Sequence, residues 1–260
     1  MNLSISNIAW NNLDSDIIKI LKENNISNIE VALTKINGSW NIKKEDLLEY
    51  KKKLDTIKIY SIQSINYGTA YNLFDNNKEF LKHIYFVLEC AKELGSKIIV
   101  FGSPKNRFCN LKKDDADNIF VETMEKIGSV CKKDDIYFCI EPNAEIYGCN
   151  YITNSFDGLS ILKKINNKNI RLHLDAACMH LSDDYGLENT EIQNYVEHFH
   201  VSEPYLSNFD EPKDSHIYYS NILNKINYNK NICIEMKYDD ILFKKNIINA
   251  INFTKNIYLK

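Results

Sequence analysis

Arginine is almost missing from this chain of 260 residues; Arg107 and Arg171 are the only two. With a formal net charge of −3, the sequence offers no basic face for nucleic acid or for an anionic membrane surface. Eight glycines and four prolines form no linker-like tract, so one domain over residues 1–260 is expected. The stretch Ala9-Trp10-Asn11-Asn12-Leu13-Asp14 after the first apolar run contains no glycine, which excludes the phosphate-binding fingerprint of a dinucleotide fold. The seven cysteines are odd in number and lack paired zinc spacing, so they read as small buried residues in a reducing compartment. No run approaches the ~20 apolar residues of a membrane helix, and the start Met1–Trp10 lacks a basic, signal-like segment. A cytoplasmic protein without membrane partners is expected.

What is present is a repeat of short β-rich apolar runs: 3–9, 28–33, 57–63, 97–102, 136–141, 170–175, 196–201 and 231–236. Between them lie helical spacings such as Phe80, Leu81, Ile84, Val87, Leu88, Ala91 and Leu94. Run starts fall roughly 25 to 40 residues apart, which is room for one crossover helix in a parallel sheet. Eight repeats in this length predict an α/β fold, a single (β/α)8 TIM barrel.

Four of the runs end in a potential metal ligand: Tyr137–Glu141, Arg171–Asp175, Val196–His200 and Asn231–Glu235. Residues two apart on a strand face the same side. One parity is apolar (Phe138, Ile140, Leu172, Leu174, Phe199, Val201, Ile232, Ile234), and the other holds Cys139 and Glu141, His173 and Asp175, His198 and His200, Cys233 and Glu235. Buried carboxylates and imidazoles are costly unless paired. Four at equivalent places, on strands five to eight, point to one shared divalent cation at the C-terminal mouth of the barrel. Three carboxylates and an imidazole favour Mn²⁺, Mg²⁺ or Co²⁺, with Zn²⁺ an alternative. His173 and His198 fall one layer lower and are expected to fill or hydrogen-bond the interior.

At these positions and intervals the sequence resembles the xylose-isomerase-like TIM-barrel superfamily, which includes tagatose 3-epimerase, hydroxypyruvate isomerase and endonuclease IV. The resemblance is specific from about Ile136 to Lys237. It implies that Glu141, Asp175, His200 and Glu235 bind one divalent metal, and that Glu141 and Glu235 are also the acid/base pair. A cation on a carbonyl and its neighbouring hydroxyl acidifies the C–H between them and stabilises the enediolate. A carboxylate on each face can then take and return the proton. The segments His198–Pro204 and Ile232–Lys237 further resemble sugar isomerase/epimerase-like proteins, some associated with surface-polysaccharide synthesis. The sequence departs from the epimerase pattern in two places. Cys178 stands where a substrate-contacting histidine is usual, and Glu145 follows Glu141 at four residues where a glutamate at six is usual.

Further substrate-binding candidates are Cys178, His216 in Asp214-Ser215-His216, Lys237 on the parity of Glu235, Arg107 at the mouth after the fourth run, and Trp10. The last, with Tyr67, would wall a sugar ring; the guanidinium would suit phosphate or carboxylate. Glu203 is placed to orient the site. The expected activity is metal-dependent isomerisation or epimerisation of a small sugar or sugar derivative, in carbohydrate metabolism, by a monomer or homo-oligomer. The alternatives are an endonuclease-IV-like repair enzyme and a metal-dependent dehydratase or hydrolase. Against the former, Asn66-Tyr67 and Ser103-Pro104 stand where histidines would be needed.

Overall fold

The apolar runs form eight parallel strands: β1 (Asn2–Ser6), β2 (Asn28–Ala32), β3 (Lys58–Gln63), β4 (Ile98–Phe101), β5 (Tyr137–Ile140), β6 (Ile170–Asp175), β7 (Val196–Ser202) and β8 (Asn231–Glu235). In the computed structural model, which describes residues 1–259, each strand pairs with the next and β8 pairs with β1, closing a barrel. The connections carry α1 (Ser15–Glu23), the single turn α2 (Thr34–Asn37), α3 (Lys44–Leu54), α4 (Asn77–Leu94), α5 (Lys113–Asp134), α6 (Ser155–Lys164), α7 (Ala176–Leu181), α8 (Ser215–Lys225) and α9 (Phe243–Tyr258). Gly95 ends α4 in the left-handed conformation, with φ of 78°, a turn that costs other residues steric strain. Among the described residues no helix is long and apolar enough to cross a membrane.

Closure follows from the two parities. Phe138, Leu172, Phe199 and Ile232 are fully buried and share one continuous apolar cluster with Ile17, Leu21, Phe80, Val87, Phe120 and Ile247 from the helices. Phe101 bridges Phe80 and Phe138, with ring centroids 5.5 and 5.6 Å away. The opposite parity lines the bore, where the apolar share is small. Ile98, Val100 and Cys139 form a separate cluster, while Ser4, Ser6, Glu30, Ser61, His173, His198 and His200 are buried polar residues. The seven cysteines are all free and buried.

Strand limits differ from the sequence reading mostly by one residue. The exception is β1, which ends at Ser6 because Asn7–Ala9 turn into a 3-10 helix. There the Asn7 side chain replaces backbone pairing: the Ala32 amide donates to Asn7 Oδ1 at 2.8 Å, and Asn7 Nδ2 donates to the Ala32 carbonyl at 3.4 Å.

Removing the Phe138 ring would leave a void between barrel and helices. Phe138→Ala is expected to cost about 3–5 kcal/mol, seen as a lower urea midpoint with an unchanged slope. A loss below about 1 kcal/mol would show that this layer collapses freely around the deletion.

Candidate active site

The C-terminal ends of the strands open into a cavity of about 330 Å³. Its wall includes Glu141, Asp175 and Glu235 together with Gln63, Ser64, Asn143, Tyr147, Cys178 and Glu203. A larger hollow of about 490 Å³ opens at the N-terminal ends, around Asn28, Lys51, Lys58 and Lys97. It contains none of the interior carboxylates or histidines, so the chemistry belongs to the smaller cavity.

Each site residue is placed by its strand end. Glu141 follows β5 directly, and its amide donates to the Phe101 carbonyl at 3.1 Å. Its carboxylate passes over Gly102, just beyond β4, where a Cβ would stand 2.3 Å from Glu141 Oε2; glycine is required for that approach. Asp175 ends β6 and caps α7, with Oδ1 accepting the Cys178 amide at 2.7 Å and Oδ2 accepting the Ser202 hydroxyl. A β6–β7 register shift after Leu172 sets Asp175 beside His200. His200 Nδ1 faces Glu235 Oε2 at 3.4 Å and Asp175 Oδ2 at 3.8 Å.

Glu141, His173, Asp175 and His200 each bring one ligand atom within 4.8 Å of the others. Glu235 stands just outside that tight set, beside His200. Glu141, Asp175 and His200, with Glu235 beside His200, offer three carboxylates and an imidazole, which suits a divalent cation. His200 Nδ1, buried without an aligned hydrogen-bond partner, is a group such an ion would satisfy. A second group, Glu30, His198, His200 and Cys233, is equally close-knit and lies deeper in the bore.

The electrostatics follow from this crowding. Burial, then the neighbouring Asp175, pushes the Glu141 carboxyl well above the usual carboxylate range. Burial also raises Glu235, with His200 pulling the other way. His200 would be depressed by burial, but Glu30 and Glu235 outweigh that and hold it well above the usual imidazole value. Burial, reinforced by His200 and His198, keeps His173 well below it.

The expected residues separate into two groups. Glu141, Asp175, His200 and Glu235 converge, and Cys178 lies on the cavity wall with its thiol 3.7 Å from Asn143 Nδ2. Burial first, then Asp175 and Glu141, raises that thiol well above its usual value. Arg107, expected at the mouth, is instead fully buried. Its Nη2 donates to the Glu141 carbonyl at 2.7 Å and to Asn143 Oδ1 at 2.8 Å, so it braces the β5 loop and is enclosed away from any ligand. His216 is also buried, between Tyr258 Oη and Glu203 Oε1, the latter 2.9 Å from Nε2; it supports Glu203 from behind and is not on the cavity wall. Trp10 is 1% exposed and packs in the core. Tyr67 is exposed and lines a neighbouring hollow beside Ser64 and Asn66. Lys237 is exposed, and its amide donates to the Leu206 carbonyl at 2.9 Å. As expected from parity, His198 hydrogen-bonds in the interior, its Nε2 lying 3.0 Å from Glu30 Oε2.

Glu30 is the residue that the strand-end pattern missed. It sits in the middle of β2, and the signal was an acid inside the apolar run Ile29-Glu30-Val31. Gln63 was also missed: at the end of β3 it donates to Ser6 Oγ at 2.8 Å, and only the tertiary fold brings it to the cavity wall.

Comparisons agree with this architecture. No curated protein sequence matches the chain. Among solved structures, D-psicose 3-epimerase with D-tagatose from Clostridium cellulolyticum H10 is similar over 99% of both chains, with a TM-score of 0.78 at 16% identity. The IOLI protein with a bound zinc atom gives 0.75 at 14%, over 99% of this chain and 98% of that one. An AP endonuclease of family 2 from Brucella melitensis gives 0.74 at 12%, over 95% and 97%. Identities this low speak for the fold alone. The model of the xylose isomerase-like TIM barrel family matches residues 18–257, nearly the whole barrel, and the chain belongs to that family.

Proposed function

We propose that this protein is a divalent-metal-dependent isomerase or epimerase of a small sugar or sugar derivative. The observation that carries the reading is the convergence of Glu141, Asp175 and Glu235 on one cavity with His200 Nδ1 facing them. Those four side chains would hold the cation, with Mn²⁺, Mg²⁺ or Co²⁺ preferred by the donor set and Zn²⁺ also suited. When bound, it supplies Lewis-acid polarisation of a carbonyl and its neighbouring hydroxyl.

The rest is the work of the chain. One of Glu141 and Glu235 removes the proton from the carbon next to the carbonyl, giving a planar enediolate, and a carboxylic acid returns a proton. Return to the opposite face inverts the centre; return to the neighbouring carbon exchanges aldose for ketose. Asp175, held by the Cys178 amide and the Ser202 hydroxyl, is already committed to fixed donors and serves as a ligand. Gln63, Ser64, Asn143 and Tyr147 offer amide and hydroxyl groups to substrate oxygens. Among the described residues the wall includes no lysine or arginine, which fits an uncharged polyhydroxy carbonyl compound better than a phosphate ester. The sugars named in the structural relatives, such as D-tagatose, belong to that class. The absence of histidines at 66–67 and 103–104 and the net charge of −3 weigh against an endonuclease.

The direct test is incubation of the Mn²⁺-loaded protein with a panel of neutral ketoses and aldoses in D₂O. Deuterium is expected at a C–H beside the carbonyl of the true substrate. Glu141→Gln and Glu235→Gln should stay folded and lose turnover by roughly 10²–10⁴-fold. The variant lacking the proton-abstracting base should lose solvent exchange, whereas its partner keeps some exchange without product. Near-native turnover in both metal-loaded variants would refute the two-carboxylate mechanism.

Gly102→Ala probes the same site from β4. Its methyl group would occupy the place of the Glu141 carboxylate, so divalent-cation affinity measured by calorimetry should fall while far-ultraviolet circular dichroism is retained. Unaltered affinity would remove Glu141 from the ligand set.

A further inference from the structure

We propose that Glu30 is a positioning residue: it keeps a ring proton of His200 on Nε2 and thereby leaves Nδ1 as the nitrogen that ligates the cation. This rests on the proposed function, since it concerns how the same site is built.

The argument starts from the position of Glu30 in β2. Its neighbours Ile29 and Val31 face the helices, which turns Glu30 into the bore, where it is wholly buried. A carboxylate offers about four lone-pair sites, and four groups meet them. Oε2 accepts the Ser61 hydroxyl at 2.7 Å and lies 3.0 Å from His198 Nε2. Oε1 lies 2.9 Å from His200 Nε2 and 3.6 Å from the Cys233 thiol. The His200 contact is bent away from the N–H axis and is not an aligned hydrogen bond. Its meaning is nevertheless clear, because an anionic oxygen at that distance repels a bare lone pair and favours a nitrogen that carries the proton. With a proton held on Nε2, Nδ1 on the Asp175 and Glu235 side is the nitrogen that yields its proton to an incoming cation. A carboxylate behind a ligating imidazole commonly sets its tautomer and orientation in this way.

The deeper group of Glu30, His198, His200 and Cys233 competes for His200, since its four ligand atoms are also close together. The donors gathered around Glu30 favour the upper group. Ser61 and His198 hold Oε2, the Cys233 thiol approaches Oε1, and the other side of Oε1 faces His200 Nε2, so a cation there would have to displace these donors. His200 therefore ligates toward the cavity and anchors toward Glu30.

The test uses Zn²⁺ as probe, titrated against a competing chelator, in the wild type, Glu30→Gln and Cys233→Ala. Glu30→Gln is expected to weaken Zn²⁺ binding roughly 10–100-fold, and Cys233→Ala to leave it unchanged. Equal affinity in Glu30→Gln would overturn the inference alone. Loss of affinity in Cys233→Ala, or a thiolate charge-transfer band with Co²⁺, would place the cation in the deeper group and also overturn it. A wild type that binds no Zn²⁺, Mn²⁺ or Co²⁺ would instead refute the proposed function, and this inference with it. Should Glu30→Gln fail to fold, long-range proton–nitrogen correlation spectra of the Zn²⁺-loaded wild type decide. A proton on Nε2 with zinc on Nδ1 supports the inference, and the reverse assignment sinks it.

Discussion

A carboxylate buried in the bore of a closed barrel is the constraint from which the site follows. Glu30 has no exposed surface, and an unpaired anion there would be costly enough to oppose folding. Its partners come from β3, β7 and β8: Ser61, His198, His200 and Cys233. One acid on β2 thus ties strands on several sides of the barrel to a single point. Burial alone would raise its pKa, but His200 and His198 hold it well below the usual carboxylate range, so the anion and the ring protons around it sustain each other. His200 is consequently a fixed element of the barrel before any ligand arrives.

Above this level the bore changes character. Its lower part is closed by imidazoles, with His173 edge-on to His200 at 4.0 Å between ring centroids. Its upper part is a ring of carboxylates whose mutual repulsion is softened by His200. At the β5 loop the enclosed Arg107 guanidinium is met by neutral acceptors, donating to the Glu141 carbonyl and to Asn143 Oδ1. A cation would meet oxygen donors already held by Ser202, the Cys178 amide and the bare face of Gly102. Such preorganisation limits the reorganisation a bound ion has to drive.

Much of this was legible because a strand has only two faces. In β5 to β8 the alternation separates apolar residues facing the helices from polar residues facing the bore, so the convergence of Glu141, Asp175, His200 and Glu235 can be read from sequence spacing. Cys178 was legible through its offset from Asp175. The same logic applied to β2 would have found Glu30, whose carboxylate lies between Ile29 and Val31. Arg107, His216 and Trp10 were misplaced for a different reason. Parity speaks only for strands, and these residues sit in connections or helices, where the path of the chain decides whether a side chain reaches the cavity or packs behind it. Arg107 follows a tight turn in which Ser103 has φ of 48°, and that turn carries the guanidinium beneath Glu141.

By itself the sequence determined the eightfold strand–helix repeat, the closed barrel, and the acidic and imidazole side chains that face its C-terminal mouth, because hydrophobic period and strand parity are local properties that survive in one dimension. The tertiary structure decided which residues support the carboxylates and His200 at the mouth. The pairing of Glu30 with His200 across the bore, the approach of Glu141 to Gly102 and the inward folding of Arg107 all join residues from different strands and loops. Such contacts depend on barrel register and loop path, which no local pattern encodes.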